Sequence, residues 1–253
     1  MKYLVIIPTY NEIDNIESMI KAVLEQSGRA FGMSEDEQAI QSILDLNILI
    51  VDDNSPDKTA DKVLEMQAVD KRIFLLKRPG KNGLGTAYVE GFQYALKENY
   101  DAIIQMDADF SHDPAMIPQM IKLSDKYDVV IGSRYISGIN VVNWPLSRLI
   151  LSFMASKYVQ FITGMPIKDP TGGFKCIRSK VLKKIKLDEI MADGYSFQIE
   201  INFRAWVNHF KIKEMSIVFT DRRSGQSKMS KKIIHEAIYM VWKLKLMHIL
   251  GRL

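Results

Sequence analysis

Short apolar runs alternate with helix-length amphipathic segments through the first half of the chain. The apolar runs predict buried strands at 3–7, 48–51, 73–76, 102–106, 129–131 and, further along, 212–218. Between the early runs, apolar residues recur at helical spacing and predict helices over roughly 13–27, 57–68, 86–97 and 114–124. The early strands lack polar alternation, as strands buried on both faces do. The pattern predicts an α/β domain with a mostly parallel central sheet and helices on both faces.

The alternation of strands and helices fades after about residue 140. Further helices are expected over 146–162, 196–208 and 230–249. A loop is expected at 164–175, and the long connection 28–46 is expected to form a peripheral loop with a short extra helix. We expect one domain over 1–229, followed by an amphipathic helix over 230–253 that lies at a membrane interface.

The composition is that of an ordinary globular protein, with 253 residues, 47% of them hydrophobic and 25% charged. The single cysteine, Cys176, excludes an internal disulfide, so nothing in the chain requires an oxidising compartment. No apolar run approaches the length of a membrane span. The apolar N-terminus stops at Pro8 without a signal-peptide cleavage pattern. We therefore expect a cytoplasmic protein.

Charge is distributed unevenly along the chain. Residues 211–253 carry ten Lys or Arg and three acidic residues, a net charge of +7, so the remaining 210 residues sum to −3 within the overall +4. A basic tail on a slightly acidic body indicates an anionic partner, which could be phosphate, anionic lipid or nucleic acid.

Acidic residues gather where the predicted strands end, and ligands of parallel sheets bind at that edge. Asp107 and Asp109 follow the fourth strand, and their spacing points both side chains to the same side. Two such carboxylates suit a hard divalent ion, Mg²⁺ or Mn²⁺, that also binds phosphate. A turn capped by Asp is the alternative. Asp52 and Asp53 favour the ion, because two acidic clusters on one edge repel each other unless a cation or donor-rich ligand lies between them.

Two further segments indicate nucleotide and phosphate binding. The stretch PTYNE (8–12) could be a simple strand-to-helix turn, but Tyr10 beside Glu12 suits a nucleobase. The stretch DRRSGQSK (221–228) carries three cations in a Gly/Ser context and favours a flexible phosphate clamp. The four histidines lack zinc-site spacing, and His112 is expected in a turn or a supporting role.

Several motifs occur in a fixed order along the chain: PTYNE, DDNSPDKT, GLGTAY, DADFSH, GSRY, DPTGGFK, GYSFQIE and RRSGQSK. Together they resemble the polyprenol-phosphate mannosyltransferases (dolichol-phosphate mannose synthases), which are inverting glycosyltransferases with a GT-A fold. The resemblance runs from about residue 3 to about residue 230 and is to the short form without an extra transmembrane domain. It implies transfer of mannose from GDP-mannose to a polyprenyl phosphate, with Mg²⁺ or Mn²⁺ as cofactor and a β-linked product.

The resemblance also implies roles for the matching residues. It implies a nucleotide pocket lined by Pro8, Tyr10, Glu12, Val51 and Asp53. It implies that the metal and diphosphate meet Asp107, the backbone of Ala108, Asp109 and, at the edge of the metal site, Ser111. It implies sugar-nucleotide contacts from Arg134, Arg222 and Lys228, and an acceptor-phosphate contact from Arg148. We expect the catalytic residues to be Asp109, Arg134 and Arg148.

The chain departs from the family pattern in three places. Lys58 stands where many members have Gly. Ser111 stands where some have Gln, which leaves the outer ligand of the metal open. The 28–46 segment exceeds the usual spacing of the family.

The acceptor implied by the resemblance is a phosphate monoester on a lipid. Its second pKa is about 6, so it is largely ionised at neutral pH and no strong general base is expected. The segments 144–163 and 233–250 have apolar faces, and the lysines and Trp242 of the tail favour an interfacial helix on anionic lipid. We expect peripheral attachment to the cytoplasmic face of a membrane. Core packing, a membrane-anchoring protein partner or a homo-oligomer could use the same faces.

Other functions fit the sequence less well. The nearest alternative keeps the fold and transfers glucose or N-acetylglucosamine from a UDP-sugar. A nucleotidyltransferase should carry a Gly-rich basic loop where this chain has PTYNE, and a processive polysaccharide synthase should carry membrane spans. A nucleic-acid-binding module explains the basic tail alone, and nucleic acid is not expected as a partner.

Overall fold

The computed structural model describes residues 1–28, 44–192, 194–221 and 231–253. The strands are β1 (Lys2–Thr9), β2 (Asp45–Asp52), β3 (Ile73–Lys77), β4 (Ala102–Gln105), β5 (Val129–Ser133), β6 (Val141–Val142), β7 (Lys175–Arg178), β8 (Ile212–Ser216) and β9 (Phe219–Thr220). The α-helices are α1 (Ile13–Glu25), α2 (Thr59–Val69), α3 (Leu84–Lys97), α4 (Ile117–Ser124), α5 (Leu146–Thr163), α6 (Ser179–Lys184), α7 (Gly194–Val207) and α8 (Lys231–Ile249). Short 3₁₀ helices occupy Gln26–Gly28, Pro114–Met116 and Leu187–Glu189.

Seven strands form one central sheet in the order β3-β2-β1-β4-β7-β5-β8, and β6 pairs with β9 in a small separate ribbon. Neighbouring strands of the central sheet are parallel except at β7, which runs antiparallel to both β4 and β5. Alternate residues of β1 belong to different cores, Leu4 and Ile6 to one face of the sheet and Val5 and Ile7 to the other. Both faces are covered, which is why these strands are apolar throughout. The predicted α/β class and mostly parallel sheet are confirmed.

Apart from the extra helix expected within 28–46, the predicted strands and helices are all present, with ends that differ by a few residues. The sequence interpretation was wrong at β7 and α6, which it did not predict. The strand β7 is four residues long and begins and ends with a cation, so the run has neither the length nor the apolar pattern of a buried strand. The extra helix expected within 28–46 falls mainly on residues 29–43, which lie outside the described residues.

The C-terminal helix α8 packs against α5 and α7. Met240, Val241 and Leu244 on its inner face are buried in the same core as Phe203 of α7, whereas Trp242 on its outer face is 55% exposed. Among the described helices, none combines the length and the apolar character needed to cross a bilayer. The division of the chain at residue 229 stays a prediction.

The connection from β2 to α2 contains an unusual backbone position. Lys58 caps the N-terminus of α2 with a φ of +70°, in the left-handed region. This conformation brings the Cβ of an L-residue close to the following carbonyl oxygen and costs about 1–2 kcal/mol. A glycine, which has no Cβ, would adopt this conformation without that cost.

Replacing Lys58 with Gly should therefore raise the free energy of unfolding relative to Lys58→Ala. We expect a difference of roughly 0.5–1 kcal/mol, because relief of the left-handed strain exceeds the larger entropy that Gly loses on folding. Urea unfolding of the two variants measures the difference, and the Ala variant controls for loss of the lysine side chain. Equal stability of the two variants would contradict the assigned backbone conformation.

Candidate active site

A cleft of roughly 780 Å³ opens at the edge of the sheet where the parallel strands end. Most residues that the sequence predicted for the site line it: Pro8, Tyr10, Glu12, Asp53, Asp107, Ala108, Asp109, Ser111, Arg134 and Arg148. Val51 differs, because its side chain is fully buried in the core beneath the cleft. Arg222 and Lys228 lie outside the described residues. The fold thus brings together residues from four separate motifs.

The loops that follow β1 and β2 hold each other in place. The backbone N–H of Asn11 donates to Ser55 Oγ at 3.0 Å, and that of Glu12 donates to Thr59 Oγ1 at 3.0 Å. The motif PTYNE is therefore fixed by the hydroxyls of DDNSPDKT. On the cleft wall the Tyr10 ring lies 4.2 Å from the ammonium of Lys81, measured to the ring centroid.

The acidic pair after β2 is satisfied within the protein. The buried guanidinium of Arg78 donates to Asp53, and its Nε donates to Glu90 Oε1 at 3.0 Å. Asp52 is fully buried and accepts a hydrogen bond from Thr9 Oγ1 at 3.0 Å. A cation or a donor-rich ligand was expected near this pair, and for Asp53 the protein itself supplies a cation, Arg78, which was not predicted from the sequence.

The loop that follows β4 holds the three residues predicted for the metal site, Asp107, Asp109 and Ser111. Ser111 donates to Asp109 Oδ1 through its backbone N–H at 3.1 Å and through its hydroxyl at 2.6 Å. The backbone N–H of Asp107 donates to His112 Nδ1 at 3.2 Å. Burial lowers the pKa of His112, so its imidazole is neutral at pH 7 and Nδ1 can accept this bond. The ring stacks on Phe174 with 5.1 Å between centroids, which gives His112 a supporting role in the loop.

Asp107, Asp109 and Ser111 offer oxygen donors. Within the described ranges, no group of three or more His, Cys, Asp or Glu residues forms a protein-only metal cage. Mg²⁺ needs no such cage, because it keeps several waters and binds one or two carboxylates together with substrate phosphates. Asp107 and Asp109 therefore fit a hard divalent ion that arrives with a diphosphate, and Ser111 orients Asp109.

Arg134 follows β5 and is anchored by a buried carboxylate. Its Nε donates to Asp169 Oδ2 at 2.7 Å and its Nη2 donates to Asp169 Oδ1 at 2.6 Å. Burial opposes ionisation of Asp169, but the charge and hydrogen bonds of Arg134 outweigh it and hold the pKa of this carboxyl below its usual value. A bidentate pair of this kind fixes the plane of the guanidinium. Asp169 belongs to the DPTGGFK motif, but its role as the partner of Arg134 was not predicted from the sequence.

Arg148 lies in the first turn of α5 and also lines the cleft. Its Nη1 donates to Asp221 Oδ1 at 2.9 Å, and its guanidinium carbon lies 4.1 Å from the centroid of the Trp144 ring. The two arginines predicted to hold anionic substrates therefore line one cleft, each oriented by a carboxylate.

A buried lysine lies beneath the cleft floor. Lys175 begins β7, is fully buried, and donates through Nζ to Gln198 Oε1 of α7 at 2.6 Å. Burial lowers its pKa to about 7, against a weaker opposing influence from Asp169. The unfolded chain keeps the lysine proton up to its ordinary pKa near 10.5. Between these two values the unfolded state binds more protons, so the lysine makes stability rise with pH.

Replacing Lys175 with Met should remove this dependence on pH. We expect the free energy of unfolding of the native protein to rise relative to that of Lys175→Met by about 1.4 kcal/mol per pH unit above pH 7. Denaturant unfolding at pH 7, 8 and 9 measures the slope, and Lys97→Met, at an exposed lysine, is the matched control. A difference between wild type and Lys175→Met that does not change with pH would contradict the depressed pKa.

Comparison with known proteins places this geometry in a family. Residues 4–186 match the family described as Glycosyl transferase family 2. The chain is 37% identical over 241 residues to an undecaprenyl-phosphate mannosyltransferase of Micrococcus luteus, covering 95% of this chain and 93% of that protein. It is 40% identical over 240 residues to a polyprenol monophosphomannose synthase of Mycolicibacterium smegmatis, covering 94% of this chain and 84% of that protein.

Solved structures share the fold at low identity. Glucosyl-3-phosphoglycerate synthase from Mycobacterium tuberculosis with UDP superposes with a TM-score of 0.65 at 14% identity, covering 96% of this chain and 80% of that chain. The same enzyme with Mn²⁺, UDP-glucose and phosphoglyceric acid gives 0.62 at 15% identity, covering 95% and 79%. The family match and the two mannosyl-transferring relatives show that this chain belongs to glycosyl transferase family 2, with the GT-A fold of its structural neighbours.

Proposed function

We propose that this glycosyltransferase moves mannose from GDP-mannose to a polyprenyl phosphate, with inversion at the anomeric carbon. The observation that carries the proposal is the identity of 37% and 40%, over at least 94% of the chain, to an undecaprenyl-phosphate mannosyltransferase and a polyprenol monophosphomannose synthase. The cleft supports it, because carboxylates and arginines from separate motifs converge there.

The donor is proposed to lie along the sheet edge from β2 to β4. Tyr10 and Glu12 stand beside the nucleobase, and Asp53, held by Arg78, lies at the same end of the cleft. Asp107 and Asp109 would hold Mg²⁺ or Mn²⁺, and the bound ion would offset the charge that develops on the leaving diphosphate. The sugar-nucleotide contacts predicted for Arg222 and Lys228 stay a prediction.

The acceptor phosphate is proposed to lie between Arg134 and Arg148. One of its oxygens forms a bond to the anomeric carbon while the bond from that carbon to the diphosphate oxygen breaks, and the electron pair leaves with GDP. The attacking phosphate is already largely ionised at neutral pH, so the step transfers no proton to the protein. The two arginines orient this anion and offset its repulsion from the donor diphosphate.

Replacing Asp109 with Asn should lower kcat/KM for mannosyl transfer by at least about 100-fold, because the residue loses the charge that holds the metal. The assay uses GDP-mannose, a short-chain polyprenyl phosphate, detergent and either Mg²⁺ or Mn²⁺. Asp113→Asn is the matched control, because Asp113 is an exposed carboxylate in the same loop that caps its own turn.

Unchanged turnover in Asp109→Asn would overturn the metal assignment. The donor assignment has a separate test, in which GDP and UDP compete for metal-dependent binding to the wild-type protein. Tighter binding of UDP would indicate that the transferred sugar is glucose or N-acetylglucosamine and not mannose.

The lipid tail of the acceptor is proposed to reach a membrane along α5 and α8. The cleft wall continues from Arg148 past Leu151 and Met154 of α5 to Ile238 of α8. The outer faces of these helices expose large apolar side chains: Leu146, Ile150, Met154, Phe161, Ile238, Tyr239, Trp242, Leu246 and Ile249. An apolar surface of this extent marks an interaction site. Its continuity with the cleft favours a peripheral position on a bilayer.

The double variant Phe161→Asp/Trp242→Asp should lose membrane binding. The two side chains are 86% and 55% exposed, and burying a large apolar side chain contributes about 1.5–3 kcal/mol, so the partition coefficient should fall by more than about tenfold. Flotation with phosphatidylcholine vesicles containing anionic phosphatidylglycerol measures it, with Leu64→Asp on α2 as control. Unchanged flotation, together with a wild-type dimer that the double variant dissociates, would assign the surface to a second copy of the chain.

A further inference from the structure

A small hollow lies in the cleft floor at Gly173, two residues before β7. A Cβ placed on Gly173 would lie 3.5 Å from His112 Cε1, 3.7 Å from Gln198 Nε2 and 3.9 Å from Asp107 Oδ2. The bare backbone therefore leaves room between an amide nitrogen and a carboxylate oxygen. All three neighbours line the cleft, so the hollow is open to a bound substrate.

The position of the hollow along the sheet edge indicates which part of a substrate it meets. The sheet order places β7 between β4, which precedes Asp107, and β5, which precedes Arg134. Adjacent strands are about 4.8 Å apart, so the hollow lies about one strand beyond the diphosphate position and one strand before the acceptor arginine. When the nucleotide lies near β2 and the diphosphate lies near β4, the hexose of the nucleotide sugar lies over Gly173.

Lys175 decides which end of the Gln198 amide faces that hexose. Its Nζ donates to Gln198 Oε1 at 2.6 Å and to the Gln198 main-chain oxygen at 3.2 Å. In both contacts the lysine nitrogen is the donor, and it carries hydrogens to donate in either protonation state, so the amide oxygen faces the lysine and the NH₂ group faces the cleft. Among the residues that the structure describes, none accepts a hydrogen bond from Gln198 Nε2. The side chain is 3% exposed, so the rest of it is fixed by packing.

We infer that Gln198 determines sugar specificity by donating a hydrogen bond from Nε2 to a hydroxyl of the transferred hexose, and that Lys175 is the positioning residue that holds the amide in this orientation. The inference rests on the proposed function, because its ligand is a sugar nucleotide. A site with an oriented donor discriminates against a sugar that offers no acceptor there, because the donor is then left unpaired.

The test compares ligands that differ by the sugar alone. Dissociation constants of GDP and GDP-mannose with Mn²⁺ are measured by calorimetry for wild type, Gln198→Leu, Lys175→Met and the double variant. We expect Gln198→Leu to weaken GDP-mannose about tenfold, the effect of one lost hydrogen bond, and GDP by less than about twofold. Lys175→Met should weaken GDP-mannose selectively as well, and should add nothing in the Gln198→Leu background. Gln93→Leu, at an exposed glutamine of α3, controls for the substitution.

Equal weakening of GDP and GDP-mannose, or no change in either, would overturn the role of Gln198. Additive effects in the double variant would overturn the positioning role of Lys175, since a general effect on the fold does not depend on Gln198. Failure of the proposed function is distinguishable, because it appears in the wild type as a preference for UDP-sugars. The change in the two dissociation constants on Gln198→Leu, measured instead with UDP and UDP-glucose, then tests the role of Gln198.

Discussion

The antiparallel strand β7 between β4 and β5 is the constraint on which the rest of the site depends. Because it runs against its neighbours, its first residue lies at the edge where they end. The loop that leads into it therefore carries Asp169 to Arg134 and Gly173 to Asp107. A fully parallel sheet would bring the end of a strand there instead, and the cleft floor would lose both groups.

Charged residues of the cleft are held by partners behind them. Arg78 fixes Asp53, Asp169 fixes Arg134, and Asp221 contacts Arg148. The first two pairs are largely buried, and breaking a buried pair costs about 3–5 kcal/mol, so the orientations of Asp53 and Arg134 are set before substrate arrives. Groups that are already oriented need not reorganise as charge develops, which is how a site of fixed arginines and carboxylates can promote transfer between two anions.

The sequence predicted the features that follow from continuous apolar runs or from contiguous motifs. The parallel strands and their helices were predicted because each buries a run of residues, and the motifs at the strand ends were enough to identify the family. The partners of those motifs were not predictable, because Arg78 lies 25 residues from Asp53, and Asp169 lies 35 residues from Arg134. The strand β7 was not predicted because its first residue is a buried lysine, and lysine is rarely buried without a partner. The cation beside Asp53 was likewise not predictable, because Arg78 comes from a different loop.

Asp107 and Asp109 would hold the metal together with the diphosphate of the donor, and binding of Mn²⁺ followed by electron paramagnetic resonance tests this most directly. With two carboxylates as its protein ligands, the site should bind Mn²⁺ weakly alone and at least about tenfold more tightly with GDP present. This enhancement should disappear in Asp109→Asn. Mn²⁺ binding that responds neither to GDP nor to that substitution would contradict the account.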